Sequence, residues 1–197
     1  ARVLGRHAAG YHVALSPDGN WVASGVWRGQ AAPVKVRVWD SRAGECVRSL
    51  GAADVGRGDP EVQFTGDGRW LVTTAAEGYR FRKAGSWEPG PVLALGRGET
   101  RNVALGAARD GSLQAAASAR SAVQLRDASG NELATLTCPE QEEIFGMSFS
   151  PDGRLLAIRC DNQIVHGWDL GRLRRELACL GLDWDLPAYP PEAPTAD

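Results

Sequence analysis

The chain has 197 residues, 43% of them hydrophobic, with 22 Lys+Arg against 24 Asp+Glu for a formal net charge of −2. A chain of that length suits one domain with an ordinary core. Near-balanced charge offers no general pull toward nucleic acid or an anionic membrane, so neither is expected as a partner.

No apolar run approaches the roughly 18 residues that span a bilayer, and Ala1-Arg2-Val3-Leu4 lacks a Met and a signal-peptide core. The compartment is left open, with the cytoplasm slightly favoured. Cys46, Cys138, Cys160 and Cys179 are widely separated, with no CxxC and no histidine at metal spacing. They read as buried apolar thiols.

In chain order, Arg2-Val3-Leu4-Gly5 reads as an outer strand without a blade before it. It resembles Leu93-Ala94-Leu95-Gly96 further on. Four hairpin turns follow: Ser16-Pro17-Asp18-Gly19, Thr65-Gly66-Asp67-Gly68, Ala108-Arg109-Asp110-Gly111 and Ser150-Pro151-Asp152-Gly153. Their aspartates are 49, 43 and 42 residues apart. Asp-Gly between apolar runs favours a hairpin because glycine supplies positive φ without steric cost.

Alternating apolar residues precede each turn (Val13/Leu15, Val62/Phe64, Val103/Leu105, Met147/Phe149) and apolar runs follow it. A third run ends at Trp39-Asp40, Arg82-Lys83, Arg126-Asp127 and Trp168-Asp169, spaced by 43, 44 and 42 residues. Outer strands fit Cys46–Leu50, Val92–Leu95 and Glu132–Leu136. Short strands at this period describe four-stranded propeller blades, at approximately 11–50, 60–95, 101–136 and 145–169. The fold class expected is all-β: four propeller blades over 1–170, with 2–5 as a closing outer strand.

After the fourth blade, Leu170, Leu173, Leu177 and Leu180 take helical spacing and Gly181 stands where a helix would stop. A helix over 171–182 is expected, then a tail over 183–197. Four prolines between Pro187 and Asp197 favour an extended segment there.

Trp39-Asp40 and Trp168-Asp169, each after a Ser-Pro-Asp-Gly turn, resemble the WD-repeat family over roughly residues 2–170. The middle blades depart from it, since Arg82-Lys83 and Arg126-Asp127 replace the Trp-Asp pair. The family's turn aspartate has a counterpart only at Asp161, and its Gly-His signature is approximated by Gly5-Arg6-His7. The resemblance thus implies an incomplete His–Ser/Thr–Asp–Trp network. It also implies ring closure by an N-terminal strand, the part assigned to Arg2, Val3 and Leu4. Four blades then belong to a larger propeller, to an eight-bladed ring of two copies, or to a closed four-bladed monomer. Leu-Gly-Leu-Asp-Trp-Asp-Leu-Pro at 180–187 resembles the ending of bacterial WD-repeat proteins whose propeller follows a Ser/Thr protein kinase domain. That ending implies that Leu182, Trp184 and Leu186 dock on the propeller.

No HExxH, GxSxG, phosphate-cradling glycine loop or kinase motif is present. Catalytic, cofactor and metal residues are therefore not expected, and Glu140, Glu142 and Glu143 read as a solvated acidic loop. Trp27, Arg28 and Gln30, on a turn about six residues longer than its counterparts, have the composition of a binding hot spot. Arg82 and Arg126, where the family carries tryptophan, are further partner-binding candidates. The function expected is a non-catalytic scaffold for an unidentified protein partner, with self-association into a closed ring as one arrangement. A ligand-binding propeller beside an enzyme, and a structural module joined by end strands, are the rivals.

Overall fold

Each blade is organised by a turn whose hydrogen bonds are dictated by its residue types. Ser16 Oγ donates to Asp18 Oδ1 (2.6 Å) and accepts from Trp21 N–H (2.9 Å). Thr65 with Asp67 (2.6 Å) and Ser150 with Asp152 (2.5 Å) repeat this. The hydroxyl at Ser16 and Ser150 holds the Asp18 and Asp152 carboxyls below the usual carboxylate range. The third turn begins on Ala108 and uses Ser112 Oγ to reach Asp110 instead (2.7 Å). The closing glycines, Gly19, Gly68, Gly111 and Gly153, lie at φ 69–72°, in the left-handed region.

The computed structural model describes residues 3–8, 10–26, 33–75, 77–94, 105–161 and 163–189. Blade one is β1 (Gly10–Leu15), β2 (Trp21–Val26), β3 (Val36–Asp40) and β4 (Cys46–Leu50), followed by a single helical turn, α1 (Ala52–Val55). Blade two is β5 (Glu61–Phe64), β6 (Trp70–Ala75), β7 (Gly78–Lys83) and β8 (Pro89–Ala94). Blade three is β9 (Leu105–Ala107), β10 (Leu113–Ala119), β11 (Ala122–Asp127) and β12 (Glu132–Thr137). Blade four has three strands, β13 (Ile144–Phe149), β14 (Leu155–Cys160) and β15 (Val165–Asp169), and runs into α2 (Leu170–Cys179). Every sheet is an antiparallel meander in chain order. The protein is an all-β propeller of four blades with one short C-terminal helix.

Strand alternation sends successive side chains to opposite faces, so the two middle blades bury one face against the blade before and the other against the blade after, and blades one and four bury one face each. Ala23, Val36 and Val38 of blade one meet Val62, Phe64 and Leu71 of blade two. Val72, Tyr79 and Phe81 meet Leu105 and Ala116 of blade three. Ala115, Ala117, Val123 and Leu125 meet Leu156, Ile158 and Cys160 of blade four. Gly66 allows the second junction to close: a Cβ there would stand 2.4 Å from the Ala108 carbonyl oxygen.

The last helix bears on blades three and four through Leu170, Leu173 and Leu177. It ends in a Schellman motif: Gly181 sits at φ 69°, Leu182 N–H donates to Leu177 O (2.9 Å), and Gly181 N–H donates to Ala178 O (3.0 Å). Beyond it, Trp184 is buried and Leu186 packs beside it, whereas Leu182 is exposed, a departure from the expected docking of all three. The buried Arg174 holds this segment: its guanidinium donates to both Asp183 oxygens (2.9 and 3.0 Å) and to the carbonyls of Pro187, Leu186 and Trp184 (2.7, 2.7 and 3.2 Å). Among the described residues, no helix is long and apolar enough to cross a membrane.

Candidate functional site

The two ends of the blade series carry apolar residues at positions that are buried in the inner junctions. Val13 and Leu15 of β1 pair with Ser24 and Val22, as Val62 and Phe64 of β5 pair with Thr73 and Leu71. Val62 and Phe64 are 8% and 6% exposed, but Val13 and Leu15 are 72% and 62% exposed. At the other end, Leu155 and Val165 of blade four correspond to Leu113 and Val123 of blade three. The latter are 2% and 0% exposed, the former 52% and 64%. Arg159, stacked over Phe145 at 5.2 Å, shares that end face. The inner strands pack β1 on β5 and β9 on β13, with no comparable packing of β13 on β1 among the described residues. Among the described residues, β15 also has no fourth strand beyond it in its sheet.

Arg2 lies outside the described residues. Val3 and Leu4 belong to no strand, and Val3 is exposed. The following residues lie against blade one: Gly5 faces the Trp39 ring, where a Cβ would come within 2.3 Å of it. His7 Nδ1 lies 2.8 Å from Ser24 Oγ, which also accepts from Trp39 Nε1 at 3.3 Å. Blade one therefore holds three members of the His–Ser–Trp–Asp staple. Burial lowers the His7 pKa, which favours the neutral ring. In blade four, Trp168 Nε1 is buried without a hydrogen-bond partner.

Trp27, Arg28 and Gln30, like Val103, lie outside the described residues. Arg82 is buried, not presented. From the position equivalent to Trp39 it donates to Asp54 Oδ1 of α1 (2.8 Å) and to the Trp87 carbonyl (3.1 Å). The other Asp54 oxygen accepts from Gly51 N–H (2.9 Å), so the guanidinium ties blade two to the connector before it. Trp87 is itself buried, edge-on to Trp21. Arg126 is half-buried and donates to Gly130 O and Gln124 Oε1, both at 2.7 Å. The two arginines lie in different blades and share no contact partner.

The cysteines divide into two kinds. Cys46 and Cys179 are exposed, contrary to the expectation of four buried thiols, because β4 is an outer strand and Cys179 ends the helix. Cys138 and Cys160 are buried 4.0 Å apart, beside His166. Burial pushes the Cys160 thiol up to about 12. Glu142 is not a solvated loop residue: it is buried, and its Oε2 lies 2.6 Å from His166 Nε2. Sequence reasoning missed this cluster because its members come from the end of β12, a loop, the end of β14 and the start of β15. The available signal was the β14–β15 hairpin register, which sets His166 opposite Ile158, two residues before Cys160.

Residues 130–169 match the family model described as WD domain, G-beta repeat. The match begins just before β12, the outer strand of blade three, and ends with β15. Together with the four blades it supports a WD-type β-propeller. None of the curated proteins compared with the chain matches it.

Proposed function

We propose that the chain is a non-catalytic protein-binding scaffold whose two end faces are covered by a second copy of itself. WD-type propellers commonly mediate protein–protein interaction, and that is the class of function the fold supports. The carrying observation is the exposure of Val13 and Leu15 at one end and of Leu155 and Val165 at the other. Both halves of a blade-to-blade junction exist in one chain, so two copies joined head to tail bury each exposed half against the other. Exposed apolar faces of this kind mark interaction surfaces. The edge of β15 accepts a strand in the same arrangement, and Arg2-Val3-Leu4 of the other copy is the segment assigned to it.

The resemblance at 180–187 leads us to place the scaffold as the sensory or scaffolding part of a bacterial signalling protein, with any kinase activity outside these residues. Amide hydrogen exchange measured over a range of concentrations tests the closure. Exchange at β15 that slows as concentration rises supports it, and fast exchange independent of concentration contradicts it.

A further inference from the structure

We infer that Cys138, Cys160 and His166 form a binding site for a thiophilic divalent metal ion of the Zn²⁺ type, tying blade three to blade four. Their donor atoms, two sulfurs and an imidazole nitrogen, all lie within 4.8 Å of one another, and the two Sγ atoms are 4.0 Å apart. With Zn–S bonds of about 2.3 Å in tetrahedral geometry, two thiolate ligands stand roughly 3.8 Å from each other. The observed separation is already close to that. It is about twice the S–S bond of a disulfide, roughly 2.05 Å. Two thiolates and an imidazole are a donor set that selects zinc over the hard, oxygen-seeking cations.

The donors are held in place before any ion arrives. Cys138 N–H donates to Ser121 O (2.8 Å) and Cys160 N–H to Ile164 O (3.0 Å), which fixes both cysteines where strands end. His166 sits within β15, in register with Ile158. Glu142, buried beside the ring, bonds to it at 2.6 Å. Glu142 occupies Nε2, so the ring offers Nδ1 to the ion; a carboxylate on the other nitrogen of a ligating histidine orients the ring and raises its basicity, which makes Glu142 a positioning residue. Both thiols are buried, and the site therefore lies inside the junction, apart from the end faces.

The test uses the full chain, reduced and freed of metal, titrated with Co²⁺ and then with Zn²⁺. One Co²⁺ per chain is expected, with the near-ultraviolet charge-transfer band of thiolate ligation and visible bands of tetrahedral intensity, all displaced by Zn²⁺. In a concentration of urea that opens Cys138 and Cys160 of the metal-free chain to alkylation, Zn²⁺ is also expected to shield these two while leaving Cys46 and Cys179 reactive. Cys138→Ser and Cys160→Ser should each weaken the charge-transfer band and lower affinity, and the Cys46→Ser/Cys179→Ser double variant should change neither. Glu142→Gln should keep the band and weaken binding by about 10–100-fold. The assignment is overturned if the folded wild-type chain takes up no stoichiometric Co²⁺, or if Zn²⁺ leaves Cys138 and Cys160 open to alkylation. A band that depends on Cys46 or Cys179 overturns it equally. Because the wild-type titration and the alkylation pattern need no variant, the assignment stays testable even where a cysteine replacement fails to fold.

Discussion

Replacing Arg174 by Met should release the segment after α2 and lower the stability of the whole junction it covers. The buried guanidinium makes a two-pronged ion pair with Asp183 and donates to three carbonyls, those of Pro187, Leu186 and Trp184. Its ring neighbours are Trp184 and Tyr189, at 5.4 and 5.6 Å. Met retains much of the apolar stem but leaves the three carbonyls without this donor. Breaking a buried pair costs about 3–5 kcal/mol. Asp183 keeps 28% of its side chain in solvent, which places the effect near the lower figure, about 3 kcal/mol. For a chain of this size that is a fall of roughly 6–12 °C in melting temperature. Arg174→Lys keeps the charge without the planar fork and should recover only part of it. Thermal melting gives the first reading, and limited proteolysis between Leu180 and Tyr189 gives the second. Unchanged melting together with unchanged protease resistance in Arg174→Met would refute the clamp.

Three further outcomes are expected. Ser24→Ala removes the hydroxyl shared by His7 and Trp39 and should cost about 1–3 kcal/mol in urea unfolding, because two part-buried groups lose their acceptor or donor. His7 has a folded pKa below its ordinary 6.5, so the unfolded chain takes up a proton first as pH falls. Stability contributed by neutral His7 is therefore present above pH 6.5 and declines below it until the folded ring also titrates. An NMR titration that places His7 at or above 6.5 contradicts this. Gly66→Ala sets a methyl group against the Ala108 carbonyl and should lower the melting temperature, whereas Gly85→Ala, with open space but positive φ, reports the backbone cost alone. A Gly66→Ala melting temperature unchanged from wild type would show that the second junction tolerates the methyl.

The blades were legible in the sequence because each turn is a local device. Ser16 and Asp18, or Thr65 and Asp67, bond within three residues of each other, and the glycine that follows needs positive φ. The helix stop at Gly181 was legible for the same reason. Arg82 was not, since its burial depends on Asp54, 28 residues earlier in the chain. The Cys138–Cys160–His166 cluster was hidden by the same non-locality, and Glu142 looked solvated because its partner lies 24 residues away. Exposure at the end faces is likewise invisible in sequence. Val13 and Val62 have the same pattern, and only the presence of a neighbouring blade separates them.

The solution mass of the intact chain tests the account most directly. Head-to-tail closure predicts twice the single-chain 21.0 kDa for the wild type, falling to 21.0 kDa in Val13→Asp/Leu15→Asp with the strand signature in circular dichroism retained. A wild-type chain that is folded and remains at 21.0 kDa across the concentration range contradicts the closure. The end faces would then be covered by something other than a second copy.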